Sequence, residues 1–188
     1  MRYGKMDARL GMRVDVNTGL LVGVKQVLSP FFDERPAGVV PDLLVLHGIS
    51  LPPGEFGGPW IARLFTGNLP ADAHEEFHER ASLRVSAHLL VRRDGEVVQF
   101  VSFNDRAWHA GKSTWQGRDA CNDYSIGIEC EGTDEVPYEP AQYETLKKLL
   151  PMLLEAYAIP SERIVGHSDV APGRKTDPGP SFDWSKLR

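Results

Sequence analysis

The sequence predicts a single α/β domain in which helices flank a mixed central β-sheet. In the run DLLVLH, residues 42–47, four apolar residues stand between Asp42 and His47, which is typical of a strand buried on both faces. Residues 85–102 contain two β-rich runs around Asp94-Gly95, a dipeptide that suits a tight turn, so they predict an antiparallel hairpin. Residues 140–157 place apolar side chains at steps of three and four, which predicts a helix.

The composition is that of one soluble globular domain. The chain has 188 residues, of which 41% are hydrophobic and 25% are charged, enough apolar content for a sizeable core. The formal net charge of -5 argues against non-specific binding of nucleic acid, which relies on a basic surface. Cys121 and Cys130 are too few for a disulfide framework, so we expect buried free thiols. No obligate protein partner is evident.

The first residues show no clear hydrophobic period. We interpret residues 1–19 as an N-terminal arm and residues 20–188 as the domain. The positive charges at the start are not followed by the apolar core of about 7–15 residues that a secretory signal requires. No run approaches the length of a membrane span. The sequence therefore predicts a cytoplasmic protein that has no membrane partner.

Two short helices are predicted between the first strand and the hairpin. Residues 59–65, PWIARLF, carry Pro59 in the first turn. Residues 72–81, DAHEEFHERA, begin with Asp72 as a cap and have an acidic residue three positions later. The Pro/Gly-rich loop 50–59 directly follows the first strand, where loops commonly carry functional sites.

Further elements follow the hairpin. Residues 124–132, YSIGIECEG, predict another strand, and residues 163–167, RIVGH, predict a short extended segment that delivers His167. Pro151 lies inside the long helix and predicts a kink, because proline removes a backbone donor and clashes with the preceding turn. Residues 182–188 predict a terminal turn of helix.

Two of the six histidines stand at the ends of apolar extended runs. His47 and His167 each open a loop rich in Gly and Pro, where a sheet presents site residues. Asp177 follows His167 by ten residues, in a loop long enough to fold back. Two histidines and one aspartate would leave one zinc position open, which is the pattern of a catalytic zinc site rather than a structural one.

A second histidine pair competes for the metal. His74 and His78 stand four residues apart on a predicted helix, and HEEFH fits the H-E-x-x-H pattern. That pattern is short, and the charged helix is more typical of a solvated face. We therefore favour the strand-end histidines.

The remaining charges suggest acid–base and electrostatic roles. Lys175 lies two residues before Asp177, and an ammonium group is suited to stabilise an oxyanion rather than to hold a cation. Glu129 and Glu131 are both candidates for the general base. They fall on the same side of one predicted strand, so strand parity leaves the choice between them open.

Four blocks of the sequence resemble a known family. The blocks are LLVLHGISLPPGEFGG (43–58), LRVSAHLLVRRDGEVVQFV (83–101), RAWHAGKSTWQGRDACNDYSIGIECEGTD (106–134) and GHSDVAPGRKTDPGPSFDW (166–184). Together they resemble the cytoplasmic 1,6-anhydro-N-acetylmuramyl-L-alanine amidases, which share the class 2 amidase fold with peptidoglycan recognition proteins. The resemblance extends over about residues 20–188.

The resemblance implies a set of roles. It implies one zinc ion per chain held by His47, His167 and Asp177, with Glu129 as the catalytic acid and Lys175 as the oxyanion-stabilising lysine. The implied reaction is hydrolysis of the amide between the lactyl group of an anhydromuramyl sugar and the L-alanine of its stem peptide, during recycling of cell-wall fragments.

The resemblance also implies substrate contacts, and one position departs from the family pattern. Arg84, Ala107 and Trp108 match positions that the family uses around the sugar and peptide. The family pattern has His-Asn-Ile-Ser where this chain has Gly48 after the histidine, and glycine cannot offer the side-chain hydrogen bond that asparagine would.

Two other functions fit the same resemblance. One is a peptidoglycan-binding module without catalysis, but such modules usually lack a zinc ligand and here all three are present. The other is a periplasmic amidase acting on intact wall, which the missing signal sequence disfavours.

Overall fold

The computed structural model describes residues 11–187, which form a six-stranded mixed sheet with smaller two-stranded sheets around it. The strands are β1 (Arg13–Asp15), β2 (Leu20–Val22), β3 (Lys25–Gln26), β4 (Phe32–Glu34), β5 (Leu43–Ile49), β6 (Leu89–Val91), β7 (Val97–Gln99), β8 (Asp105–Ala107), β9 (Thr114–Trp115), β10 (Arg118–Asp119), β11 (Ser125–Glu131) and β12 (Ile164–Gly166). The α-helices are α1 (Trp60–Phe65), α2 (Phe77–Arg80), α3 (Pro140–Tyr157) and α4 (His167–Val170). Short 3₁₀ helices cover Cys121–Asp123, Ser161–Arg163 and Trp184–Leu187.

The main sheet has the strand order β12-β5-β11-β6-β7-β3. Strands β12, β5, β11 and β6 run parallel, β7 is antiparallel to β6, and β3 is parallel to β7. The predicted α/β domain with a mixed sheet is therefore confirmed. The antiparallel step is the predicted hairpin, whose turn contains Gly95 at φ 85°.

The adjacent inner strands β5 and β11 are buried on both faces. Every residue of β11 is buried, as are the first five residues of β5. On one face, α3 packs its buried side chains against the sheet, and these are Tyr143, Leu146, Leu149, Leu150 and Leu153. On the other face, Ile61, Leu64 and Phe65 of α1 pack with Phe77 and Phe100. Burial on both faces explains the continuous apolar runs in the sequence.

Local chemistry determines the ends of α3. Pro140 takes the first helical position, where its missing N–H would have no intrahelical partner. Gln142 Oε1 accepts a hydrogen bond from the backbone N–H of Glu139 at 2.9 Å, as in a capping box. The helix continues through Pro151 to Tyr157, so that proline does not end it. The kink at Pro151 stays a prediction.

The structure differs from the predicted local structure in two stretches. The predicted arm, residues 1–19, includes strand β1, which pairs with β2 while Met12 and Val14 pack on the core; residues 1–10 lie outside the described part. The helix predicted over residues 72–81 is confined to Phe77–Arg80. Asp72 is therefore not the cap of this helix. The ring of Phe77 is fully buried and lies 5.3 Å from the ring of Trp60, and this contact anchors only the final turn of the predicted helix.

Both cysteines are free and buried, as predicted. None of the helices within residues 11–187 is long and apolar enough to cross a membrane.

Candidate active site

Strand register brings the predicted site residues to one edge of the sheet. Glu129 of β11 lies directly opposite His47 of the parallel neighbour β5. Gly166 of β12 pairs with Leu46 on the other side of β5, which places His167 beside His47. The carboxyl ends of parallel strands are where such sheets form their binding crevices.

His47, His167 and Asp177 converge on one point. The two imidazole Nδ1 atoms lie 3.0 Å apart. Asp177 Oδ2 lies 3.0 Å from His167 Nδ1 and 3.3 Å from His47 Nδ1. Both histidines are almost fully buried, and the aspartate side chain is 18% exposed. The three residues form a group that is able to hold a metal ion.

The chemistry of this donor set fits a divalent metal. Burial lowers the pKa of His47 to about 4, against the opposing effect of the neighbouring Asp177 carboxylate, so the ring is neutral at neutral pH. His167 Nε2 lies 3.3 Å from the carbonyl oxygen of Ala110, which only accepts, so Nε2 is the donor there and Nδ1 is the nitrogen that faces Asp177. Imidazole nitrogens together with a carboxylate oxygen are the ligands that zinc prefers.

The backbone around Asp177 is tied to helix α4 and the residue that follows it. The N–H of Ser168 donates to the carbonyl oxygen of Asp177 at 3.0 Å, and the N–H of Lys175 donates to that of Ala171 at 3.1 Å. These bonds fold the loop back on α4, which is why two residues ten positions apart meet.

Glu129 is a buried carboxylate, and one of its two oxygen atoms has no hydrogen-bond partner in the described part of the chain. Its exposure is 8%, it lines the cavity beside His47, and its Oε2 atom has no hydrogen-bond partner within residues 11–187. Burial and the nearby Asp177 raise the pKa of Glu129 well above its ordinary value, while Lys175 opposes this shift. A carboxyl group in this environment is suited to take up and release a proton.

Glu131 has a different environment, although it lies only two residues further along β11. Its Oε1 accepts a hydrogen bond from the backbone N–H of Gly57 at 2.6 Å. Its Oε2 accepts one from the backbone N–H of Arg93 at 3.3 Å. Glu131 therefore holds the Pro/Gly-rich loop against the hairpin, and its oxygen atoms are not free for acid–base chemistry.

The site opens into a cavity of about 830 Å³. Its floor contains the three metal-site residues and Glu129, and the exposed Lys175 stands at one wall. Trp108 lines another part of the cavity. The indole Nε1–H of Trp108 donates to Asp33 Oδ1 at 3.0 Å, which fixes the orientation of the ring.

The other predicted substrate contacts are placed differently. Ala107 is fully buried, and its side chain packs in the apolar core with α1 and Phe100. A contact with substrate at this position stays a prediction. Arg84 is exposed and lies between two cavity-lining residues without lining the cavity itself, so its contact stays a prediction.

Gly48 leaves room for a neighbouring tyrosine. A Cβ atom at Gly48 would lie 2.4 Å from the hydroxyl oxygen of Tyr138. That hydroxyl donates to the carbonyl oxygen of Pro178 at 2.9 Å, next to Asp177. An asparagine at this position would have to displace the tyrosine hydroxyl.

His74 and His78 do not form a helical pair. Because α2 begins at Phe77, His74 lies in the preceding turn, where its Nδ1 accepts the N–H of Glu76 at 3.1 Å. Among residues 11–187, neither belongs to a group that could hold a metal.

One site residue was missed by sequence reasoning. His109 lines the cavity, and its Nδ1 lies 2.9 Å from His47 Nε2. No local pattern marks it, because its partner is 62 residues away in the chain. Only its place in the block RAWHAG drew attention to this segment.

The fold and the site together define a class of protein. A mixed sheet that presents two imidazoles and two carboxylates in one open cavity is typical of hydrolases that use a metal ion. The chain belongs to the N-acetylmuramoyl-L-alanine amidase family, whose sequence profile matches residues 37–180.

Within this family, the chain is similar to the 1,6-anhydro-N-acetylmuramyl-L-alanine amidase AmpD of Escherichia coli (strain K12). The two are 58% identical over 170 residues, covering 90% of this chain and 93% of the relative. The fold of this chain superimposes with a TM-score of 0.91 on a crystal structure of a Se-Met AmpD derivative. The two sequences are 55% identical, and the match covers 94% of this chain and 98% of the AmpD derivative.

A more distant structure contains a bound substrate. It is a complex of the E. coli amidase AmiD with anhydro-N-acetylmuramic acid-L-Ala-D-gamma-Glu-L-Lys. The identity is 31% and the TM-score is 0.57, covering 82% of this chain and 59% of that chain.

Proposed function

We propose that this chain is a zinc-dependent amidase of cytoplasmic muropeptide recycling. It hydrolyses the amide between the lactyl group of 1,6-anhydro-N-acetylmuramic acid and the L-alanine of the stem peptide. One zinc ion per chain is held by His47, His167 and Asp177. The substrate assignment is supported by the AmpD relative and by the substrate bound to AmiD.

One observation carries this proposal. Two buried imidazole Nδ1 atoms and a carboxylate oxygen lie within 3.0–3.3 Å of one another. Beside them lies the Glu129 carboxylate, with an oxygen that has no partner in the described part of the chain. A structural metal site would have its ligands closed around the ion, whereas this group faces an open cavity.

When bound there, zinc supplies a Lewis acid that polarises the substrate carbonyl and lowers the pKa of water. Glu129 takes the proton from the water molecule whose oxygen attacks the lactyl carbonyl carbon. It then delivers a proton to the amide nitrogen as the carbon–nitrogen bond breaks, so that the peptide leaves with a free amino group.

Lys175 stabilises the negative charge that develops on the carbonyl oxygen. It lines the same cavity and is exposed, and its charge acts on the pKa of Glu129. Because the side chain is exposed and lines the cavity, its ammonium group is able to turn toward the substrate. A donor aimed at charge that exists only in the transition state accelerates the reaction without tightening substrate binding.

Trp108 provides a surface for the sugar. Its ring lines the cavity and is held by Asp33 and by parallel stacking on Phe31, with ring centroids 6.3 Å apart. An aromatic ring of fixed orientation contacts a sugar face at low entropic cost, because few rotatable bonds remain to be ordered.

Mass spectrometry of reaction products tests the function. Zinc-loaded protein is incubated with anhydromuramyl-tripeptide in ¹⁸O-labelled water. We expect free tripeptide and anhydromuramic acid with one ¹⁸O in its lactyl carboxylate. His167→Ala should form no product, whereas His78→Ala, at an exposed histidine outside the site, should retain activity.

Two outcomes would favour the alternative functions. Stoichiometric binding of the muropeptide without any product would indicate a non-catalytic binding module. Faster release of stem peptides from intact peptidoglycan than from the anhydromuropeptide would indicate an enzyme of the cell wall itself.

A further inference from the structure

We propose that His109 is a positioning residue of the metal centre. Its Nδ1 atom accepts the Nε2–H of His47, and this bond holds His47 in the tautomer whose Nδ1 lone pair faces His167 and Asp177. The inference rests on the proposed metal site, but it concerns the proton arrangement in the protein itself.

The direction of each hydrogen bond in this series is determined by its last acceptor, the carbonyl oxygen of Cys121. His47 Nε2 lies 2.9 Å from His109 Nδ1, and His109 Nε2 lies 3.1 Å from Ser125 Oγ. Ser125 Oγ lies 2.6 Å from the carbonyl oxygen of Cys121. A carbonyl oxygen only accepts, so at this distance the serine hydroxyl must donate its single proton to it.

Each remaining proton then has one position. Since the hydroxyl proton of Ser125 is used, Ser125 Oγ accepts from His109 Nε2–H. The neutral ring of His109 has no second proton, so its Nδ1 accepts from His47 Nε2–H. The neutral ring of His47 therefore carries its lone pair on Nδ1. If Ser125 instead donated its proton to His109, Ser125 Oγ and the carbonyl oxygen of Cys121 would lie 2.6 Å apart without a proton between them.

The surrounding backbone holds His109 in place for this task. The N–H groups of His109 and Ala110 both donate to Asn122 Oδ1, at 3.2 and 2.8 Å. Strand β11 has Gly127 where a Cβ atom would lie 2.4 Å from the ring of His109. The strand thus leaves a gap that the imidazole fills, and the ring has little freedom to rotate.

The same short segment acts on both histidine ligands. The ring of His109 accepts from His47, and the carbonyl oxygen of Ala110 lies 3.3 Å from His167 Nε2. Arg174 Nη2 donates to that carbonyl at 2.6 Å and fixes its position. Partners of this kind set the tautomer and ring orientation of metal-binding histidines, and their loss typically weakens metal binding by about 10–100-fold.

The test compares two substitutions of similar shape. His109→Asn retains a side-chain oxygen that can accept from His47, whereas His109→Leu has the same branching but no acceptor. Zinc dissociation constants are measured by competition with a chromophoric chelator. We expect His109→Leu to bind zinc about 10–100-fold more weakly and His109→Asn to recover most of this loss. His78→Leu, at an exposed histidine outside the site, should match the wild type. Equal affinity of the Leu and Asn variants would overturn the proposal.

A second measurement does not depend on the variants or on zinc. ¹⁵N NMR of the histidine rings in metal-free wild-type protein should show His47 protonated at Nε2 alone. A His47 ring protonated at Nδ1, or a mixture of both tautomers, contradicts the proposal even if zinc binds normally. Conversely, failure of the chain to bind zinc would defeat the proposed function, while the NMR result would still decide the role of His109.

Discussion

At the scale of single residues, the site depends on which carboxylate is left without a partner. Glu129 and Glu131 are both buried on β11, yet among residues 11–187 Glu131 accepts two backbone hydrogen bonds and Glu129 Oε2 accepts none. Strand parity could not separate them, because the distinction arises from Gly57 and Arg93, which are distant in the sequence. The family resemblance selected Glu129, and its chemical role remains our proposal.

Glu129→Gln should abolish turnover while leaving the metal bound. The amide cannot take up the proton, and general acid–base catalysis is worth about 10²–10⁴-fold. The measurements are kcat and zinc content. Glu131→Gln is the matched control: it should lower the unfolding free energy by about 1–3 kcal/mol, because an amide N–H₂ would face a backbone donor. If Glu131→Gln, rather than Glu129→Gln, removed catalysis from folded protein, the two assignments would be reversed.

Lys175→Ala should lower kcat far more than it raises KM. The charge that Lys175 meets exists only near the transition state, and the loss of one such donor costs about 2.7–4 kcal/mol in other enzymes. Lys175→Arg should recover only part of the rate, because a planar guanidinium places its charge differently. Lys148→Ala, on the exposed face of α3, serves as control. A near-normal kcat for Lys175→Ala at saturating zinc would reduce Lys175 to a residue that steadies the loop.

The metal-site residues were predictable, but their supporting contacts were not. His47 and His167 end apolar runs, and parallel strands bring such ends together. The support by His109 depends on a side chain that arrives from another part of the chain, so no spacing in the sequence encodes it. Sequence position does not determine burial either: Ala107 precedes the cavity-lining Trp108, yet its side chain lies in the core.

At the scale of elements, prediction succeeded where a pattern had enough residues to repeat. The long helix and the hairpin have clear periods, and both are present. The helix predicted over residues 72–81 failed, because a capping pattern and a few polar residues did not outweigh the anchoring of Phe77. Strand β1 was overlooked because three residues are too few to show alternation, although pairing with β2 stabilises them.

Gly95→Ala should destabilise the hairpin's contact with α3. The turn glycine has φ 85°, and an added Cβ would lie 2.8 Å from Thr145 Oγ1 and 2.9 Å from the carbonyl oxygen of Ala141. Gly38 has φ 76° with no atom within 4 Å of such a Cβ, so Gly38→Ala carries the backbone cost alone. Chemical denaturation should show Gly95→Ala to be less stable than Gly38→Ala by about 1–3 kcal/mol. Equal losses would mean that the turn moves away from α3 freely.

At the scale of the whole molecule, buried polar groups tie the core together. Arg35 donates hydrogen bonds to four backbone carbonyls, those of Phe103, Asn122, Asp123 and Ser125. His88 is fully buried beside it, with Nε2 3.1 Å from the carbonyl oxygen of Asp105 and Nδ1 accepting the N–H of Gly127. These contacts join β4, β8 and the main sheet, and none is visible in a local sequence pattern.

The buried His88 should make the fold sensitive to acid. Burial, and secondarily the charge of Arg35, lowers the pKa of His88 from 6.5 to about 3. As the pH falls, His88 is therefore protonated in the unfolded chain before it is protonated in the folded one. The stabilisation that the neutral ring provides above pH 6.5 is lost as the pH falls toward 3. Because of His88, the free energy of unfolding should fall by about 2 kcal/mol between pH 7 and pH 5.

Urea unfolding at these two pH values measures the loss. His88→Gln should show a smaller difference between pH 7 and pH 5 than the wild type, whatever its absolute stability. His78→Gln, which removes an exposed histidine, should leave the difference unchanged. The same pH dependence in His88→Gln and in the wild type would place the acid sensitivity in other groups.

The central claim is that one metal ion at His47, His167 and Asp177 makes this fold an amidase. It is tested most directly by adding zinc in small steps to metal-free protein while measuring hydrolysis of anhydromuramyl-tripeptide. We expect activity to rise linearly and stop at one equivalent of zinc, with no rise in His167→Ala and a normal rise in a His74→Ala, His78→Ala double variant. Full activity in the metal-free protein, or a rise that is lost only in the double variant, would contradict the claim.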